Sequence, residues 1–157
     1  MTNAHYIRKN AIIYERYKDN FDNIRTEEIL LFRQEIRAAY GKIPVMVGWQ
    51  SGQPYQNVSE LTKDIKDTNR MYISTDHNES RLLPEQLNME FRAVHDYLHY
   101  TLQAPFTAAG EIKVFHLQKK LHSSEIGRKI LFSEVVLQAC YQEHFGHFAP
   151  TQKVILL

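Results

Sequence analysis

A chain of 157 residues, 43% hydrophobic and 24% charged, is sufficient for one globular domain with a sizeable core, which excludes an intrinsically disordered protein. The net charge is +1 and no basic run exceeds two residues, so we expect no nucleic-acid partner. No segment is apolar over the thickness of a bilayer and no signal-peptide pattern is present, so we expect no membrane association and a cytoplasmic location. The single Cys140 excludes an intramolecular disulfide.

Residues 1–42 are predicted to form an N-terminal helical arm. Apolar residues recur at helical spacing from about Ala4 to Asn20, and a clearer second helix begins near Thr26 and ends at Gly41. No catalytic residue is evident in this arm. We expect it either to cover one face of the domain or to make a protein contact, with an unknown partner or with a second copy of the chain.

Two short segments after the arm, Val45–Trp49 and Arg70–Thr75, are typical of strands. A predicted helix from Asn57 or Ser59 to Lys66 lies between them, which favours a parallel pair over an antiparallel ribbon. The remaining patterns are helical. The sequence therefore predicts one domain over residues 1–157 with an α+β, predominantly helical fold, in which residues 43–157 form a core with a zincin-like metal site on a central helix.

The central helix is predicted over Pro84–Leu102 and carries two histidines, His95 and His99, on one face. Imidazoles four residues apart on a helix can bind a single ion. Asp96 between them makes the segment similar to the zincin motif HExxH, in which a glutamate acts as general base, although aspartate is one methylene shorter. The alternative is a pair of packed histidines that hydrogen-bond to nearby carboxylates.

An acidic residue begins the next predicted helix. Glu111 follows the break at Gln103–Gly110, and its carboxylate is a candidate metal ligand or proton carrier. An acid in the first turn of a helix also interacts favourably with the helix dipole, so a purely structural role is equally open.

A second acid, Glu134, lies within the helix predicted over Ser124–Phe145, which is apolar on nearly every side. A buried carboxylate without a partner is costly. We expect one of the two central-helix histidines to be its partner, directly or through a metal, which makes Glu134 a candidate metal ligand. The structural alternative is an ion pair with Arg92 or Arg128.

The order of these short motifs resembles a family of uncharacterised proteins encoded by tailed bacteriophages. The matching segments are Phe91–Tyr97 (FRAVHDY), Gly110-Glu111, Ser133-Glu134 with Gln138, and Phe148–Lys153 leading to Leu156-Leu157. The resemblance covers roughly Val45–Leu157 and implies a metal-dependent protein of the host cytoplasm or the virion. The chain departs from the family where Ile112 replaces a second glutamate and where Tyr100 occupies the usual place of the second histidine.

Two hypotheses of function follow. In the first, the protein is a hydrolase of peptides or amides: His95, His99 and Glu134, or Glu111 in its place, hold Zn²⁺ or another divalent metal, and Asp96 or the remaining glutamate moves the proton. In the second, it is a catalytically inactive phage structural or host-interaction protein, in which the same residues form a closed metal site or a hydrogen-bond network.

Overall fold

The computed structural model describes residues 4–78 and 80–157; the predictions for residues 1–3 of the arm lie outside this range. Its helices and strands are α1 (Ala4–Arg16), α2 (Thr26–Tyr40), β1 (Met46–Gln50), α3 (Val58–Thr68), β2 (Arg70–Ser74), α4 (Glu85–Leu102), α5 (Ala108–Gln118), α6 (Glu125–Phe132) and α7 (Gln138–Phe145). Helices make up 62% of the chain beside one two-stranded sheet, which confirms the predicted α+β, predominantly helical class.

The sheet is parallel, in register from Met46 opposite Arg70 to Gln50 opposite Ser74. The parallel pairing is confirmed, and it follows from the intervening helix, because a crossover is needed to bring two strands side by side in the same direction. The helix between the strands, α3, begins after Asn57, whose side chain accepts a hydrogen bond from Glu60 N at 3.0 Å.

The largest core cluster surrounds α4. It joins side chains from α2, α4, α5 and the α6–α7 region, among them Phe32, Ile36, Leu87, Phe91, Phe115, Ile130, Leu131 and Val136. A second cluster lies between the sheet, α3 and α4, and contains Leu61, Ile65, Met71, Ile73 and Ala93. The helix that carries the two histidines is therefore packed on opposite sides, which holds its remaining face in a fixed orientation towards α5.

The N-terminal arm is part of the same body. α1 packs along α7, and α2 packs along α4. The buried face of α1 includes Tyr14, whose ring meets that of Tyr141 edge-on at 5.7 Å. The arm thus covers one face of the domain, and its contact with a partner stays a prediction. Within residues 4–78 and 80–157, no helix combines the length and the apolar character that crossing a membrane would require.

The predicted helix Ser124–Phe145 is continuous but contains a π-helical turn, Ser133–Leu137, between α6 and α7. The side chain of Ser133 lies at this turn. Its hydroxyl donates to the carbonyl of Lys153 at 3.2 Å and accepts from Ile155 N at 2.9 Å, which ties the C-terminal segment to the helix. A π turn changes which side chains share a helix face.

Candidate metal centre

Side chains from α4 and α5 converge at one point between the two helices. The Nε2 atoms of His95 and His99 lie 3.1 Å apart. The carboxylate of Glu111 reaches both rings, with Oε2 2.5 Å from Nε2 of His95 and Oε1 3.2 Å from Nε2 of His99. These three residues form a group that could hold a metal ion, since their ligand atoms all lie within 4.8 Å of one another.

Hydrogen bonds on the far side of each ring determine which nitrogen carries the proton. Nδ1 of His99 lies 2.9 Å from the backbone carbonyl of Ala104, and because a carbonyl can only accept, Nδ1 is the donor. Nδ1 of His95 likewise donates to Oε1 of Gln118 at 2.8 Å. A neutral imidazole has a single N–H, so in their neutral form both rings present the lone pair of Nε2 to the centre, as metal ligation requires.

Without positive charge at the centre, the inward-facing atoms would repel one another, because two nitrogen lone pairs and a carboxylate are all acceptors. Protons are one source of that charge. Burial disfavours the charged imidazole of His95, but the Glu111 carboxylate outweighs burial and raises the pKa of His95. Burial also opposes ionisation of Glu111, but the two histidines lower its pKa. A divalent cation is the other source, and two nitrogens with one oxygen are a donor set that suits zinc.

The centre is fully buried at His99 and slightly exposed at His95 and Glu111. His99 has no exposed side-chain surface, whereas the side chains of His95 and Glu111 are 14% and 20% exposed. Phe106 meets the His99 ring edge-on at 5.0 Å, and Phe91 is nearly parallel to the His95 ring at 6.3 Å. The aromatic rings pack against both imidazoles, and the little exposed surface of the centre belongs to His95 and Glu111.

The connection between α4 and α5 sets the position of Glu111. α4 ends at Leu102, and the next residue, Gln103, has the left-handed conformation with φ 52°. Thr107 caps α5 by accepting a hydrogen bond from Gly110 N at 3.2 Å. A Cβ on Gly110 would lie 1.8 Å from the carbonyl oxygen of Pro105. Only glycine therefore lets the backbone of α5 approach the loop this closely, with Glu111 in the first helical turn beside the histidines.

Asp96 lies next to the three converging side chains and makes no side-chain hydrogen bond to another described residue. Burial raises the pKa of Asp96, while the charges of His95 and His99 act in the opposite direction. A carboxylate with a raised pKa is better suited to accept a proton near neutral pH than an ordinary aspartate. Its role in proton transfer stays a prediction.

Glu134, the sequence candidate for the third ligand, lies elsewhere. It belongs to the π turn, on the side that faces α1, where its carboxylate accepts a hydrogen bond from Gln138 at 3.1 Å and lies near Tyr14 and Asp19. Burial raises the pKa of Glu134 to about 7. The carboxylate that meets both histidines is Glu111, because α5 packs against the histidine-bearing face of α4.

The two arginines considered as alternative partners of Glu134 donate to backbone carbonyls instead. Arg92 donates to three carbonyls at and after the end of β2, at distances from 2.6 to 2.9 Å. Arg128 donates to the carbonyl of His122 at 3.0 Å. Both guanidinium groups thus fix loops.

Two groups of this centre were missed in the sequence. Gln118 lies two helical turns after Glu111 on α5, so the signal available was a polar pair at this spacing on a mostly apolar helix. The carbonyl of Ala104 belongs to the backbone, so no residue type in the sequence indicates its role. Both groups act on the orientation and the tautomer of a histidine ring.

Comparisons of the chain with models of protein families, with curated proteins and with solved structures found no match. The function of the chain is therefore inferred from the geometry of the centre formed by His95, His99 and Glu111.

Proposed function

We propose that the protein binds one zinc ion through Nε2 of His95, Nε2 of His99 and the carboxylate of Glu111, and that it hydrolyses a peptide or amide bond. The observation that carries the proposal is the pair of acceptors behind the rings, Gln118 and the Ala104 carbonyl, which direct both Nε2 lone pairs at the carboxylate. Two histidines and one glutamate are a ligand set of catalytic zinc sites, which keep a further position open.

Zinc bound at such a site lowers the pKa of a coordinated water towards ~7 and so supplies hydroxide near neutral pH. The chain's own residues divide the other tasks. Asp96 accepts and returns the proton, since it is close enough to interact with the charges of both histidines and Glu111 and no described side chain hydrogen-bonds to it. The exposed edges of His95 and Glu111 admit the substrate, while Phe91 and Phe106 exclude water from the opposite side.

The binding half of the proposal is tested by elemental analysis and calorimetric zinc titration. The protein should be purified without a metal-affinity column, because its eight histidines would scavenge nickel. We expect one zinc per chain, and none for His95→Ala. The matched control is His116→Ala, an exposed histidine on α5. A parent protein that takes up no zinc near neutral pH, or a His95→Ala variant that binds it equally well, would contradict zinc binding.

The catalytic half requires variants that keep the metal. Asp96→Asn should retain one zinc and lose most hydrolysis of a mixed peptide library, and Asp96→Glu should recover part of it because glutamate restores the carboxylate. X-ray absorption should report three protein ligands and an oxygen from solvent. Full zinc loading without hydrolysis of any peptide or amide in the library would exclude the hydrolase.

The alternative function is a phage structural or host-interaction protein with a structural zinc site. It is favoured by the two departures from the phage family pattern, Ile112 and Tyr100, since both replace groups that could bind or move ions. A fourth protein ligand in the absorption spectrum would support this alternative, because a closed coordination sphere leaves no place for a reacting water.

A further inference from the structure

The two-stranded sheet has one edge along β1 that is not covered by other parts of the described chain. The other edge, along β2, is covered: the amide of Tyr72 donates to the hydroxyl of Tyr55 at 2.9 Å, and Arg92 donates to the carbonyl of Ser74 at 2.9 Å. No described residue covers β1 in this way. β1 is thus an unpaired edge strand of the two-stranded sheet.

The register determines which backbone groups of β1 face outwards. Met46 N donates to Asn69 O at 3.0 Å, and Gln50 O accepts from Thr75 N at 2.9 Å. Because residues of a parallel strand alternate between the two sides, Met46, Gly48 and Gln50 point their N–H and C=O groups at β2. The N–H and C=O groups of Val47 and Trp49 therefore point away from the sheet, and no residue in 4–78 or 80–157 hydrogen-bonds to them.

This edge lacks the features that keep strands apart. Natural edge strands are protected by lysine, proline, inward charges or bulges. The strand Met46–Gln50, MVGWQ, has no charge and no proline, and its pairing with β2 is regular. The side chains of Met46 and Trp49 remain exposed, at 62% and 37%, so the edge is also flanked by apolar surface.

The outward N–H and C=O groups of Val47 and Trp49 can pair with the same groups of a second copy of the chain. We propose that two copies of the chain join through their β1 edges, antiparallel and centred on Gly48, to give a four-stranded sheet. In this register Val47 of each copy faces Trp49 of the other, and each such pair exchanges two N–H···O bonds. All outward N–H and C=O groups of both strands are then satisfied by the same residues on the second copy.

The side chains fit the same register. The central pair is Gly48 with Gly48, at the non-hydrogen-bonded position where strands approach most closely, and it has no side chain to clash. Val47 lies opposite Trp49, a β-branched residue against an aromatic one, which is a favourable cross-strand pair. Met46 lies opposite Gln50, so no like charges meet. A second copy therefore fits better than an extended peptide of arbitrary sequence, and the surface is independent of the zinc proposal.

Sedimentation of the full chain over a range of concentrations tests the association, and hydrogen exchange tests its location. We expect a monomer–dimer equilibrium in which the amides of Val47 and Trp49 become protected as the dimer forms. The amide of Gly48 is the internal control, since it already bonds to β2 and should be protected at every concentration. A chain that stays monomeric, or a dimer in which the two outward amides exchange as fast as in the monomer, overturns the proposal.

Two double variants with exposed substitutions give a matched pair. Met46→Glu with Gln50→Glu places like charges opposite each other at both ends of the paired strands, whereas Met46→Glu with Gln50→Lys places opposite charges there. Glu at 46 faces Arg70 within its own chain in both variants, and circular dichroism confirms that both fold. We expect the dimer of the first to be about tenfold weaker than that of the second. Equal dimer affinities would exclude this register.

Discussion

Within residues 4–78 and 80–157, contacts between histidine and glutamate join separate parts of the fold at two places, and one of the two is a candidate metal centre. In the first, Glu111 bridges His95 and His99 between α4 and α5. In the second, Nδ1 of His122 lies 3.3 Å from Oε1 of Glu35, which connects α2 with the segment before α6. Burial lowers the pKa of His122, because there the nearby carboxylate does not outweigh the loss of solvent.

The difference between the pairs lies in what surrounds each imidazole. The His122 ring stacks on Phe32 with centroids 4.4 Å apart, and its carboxylate partner Glu35 is also engaged by Ser123 N at 2.9 Å. Among residues 4–78 and 80–157, the group that could hold a metal ion consists of His95, His99 and Glu111, and it does not include His122 or Glu35. The contact between His122 and Glu35 therefore connects two parts of the fold. A set of metal ligands requires in addition a second imidazole, with the tautomer of each ring fixed by a hydrogen bond.

The largest expected effect comes from removing the carboxylate of each pair in turn. Glu111→Gln should weaken zinc binding by more than ~100-fold, because it removes a ligand, whereas even groups behind the ligands account for 10–100-fold. Glu35→Gln should leave the zinc affinity unchanged. Calorimetric titration of both variants measures the contrast, and equal losses would show that the two pairs do not differ in the way described.

A smaller effect is expected from the amide behind His95. Gln118→Ala should lower the zinc affinity by ~10–100-fold while one zinc still binds, because His95 loses the acceptor that fixes its tautomer. Gln138→Ala is the control, since that amide serves Glu134 on another helix. Competition with a chelating dye gives the affinities. If both variants bind zinc as tightly as the parent, Gln118 does not orient the ligand.

The metal-free protein should lose stability at alkaline pH through the first pair. The folded-state pKa of His95 is raised, so its contribution to the free energy of unfolding is fully present below pH ~6.5 and is lost as the pH rises through the raised value. Urea unfolding in the presence of a chelator measures this. His95→Gln should abolish the alkaline loss, and an unchanged pH profile in that variant would contradict the ion pair.

The second pair should respond to acid instead, with the smallest of these effects. The folded-state pKa of His122 is lowered, so the unfolded chain binds its proton first and stability falls as the pH drops below ~6.5. His122→Asn should flatten this acid limb of the unfolding curve and leave the alkaline limb in place. A variant that changes both limbs would indicate that the two pairs are coupled.

The sequence predicted the parts of this centre that depend on local spacing. The apolar periodicity of α4 and the four-residue step from His95 to His99 both act within one helix, so no knowledge of the tertiary structure was needed. Glu111 was recognised only as one of two candidate carboxylates. Its selection depends on the angle at which α5 leaves the loop, and that angle follows from the close approach of Gly110 to Pro105.

The placement of Glu134 shows why the third ligand of the centre could not be predicted from the sequence. A carboxylate on a helix that is apolar all round can point towards any neighbouring element, and the sequence does not say which. The π turn at Ser133–Leu137 also changes which side chains share a helix face, compared with a regular α-helix. The spacing of apolar residues did not predict this turn. The parallel sheet was predictable for the opposite reason, since a single intervening helix leaves few topologies.

The polar groups of the centre are all encoded between residues 95 and 118. Both histidines, the Ala104 carbonyl, Glu111 and Gln118 follow one another along α4, the short loop and α5, although they meet in space from two helices. One small segment of the gene therefore carries the complete set. The two histidines, Glu111 and the two acceptors behind the rings can come together as soon as α4 and α5 pack against each other, without a hydrogen-bonding group from a distant part of the chain.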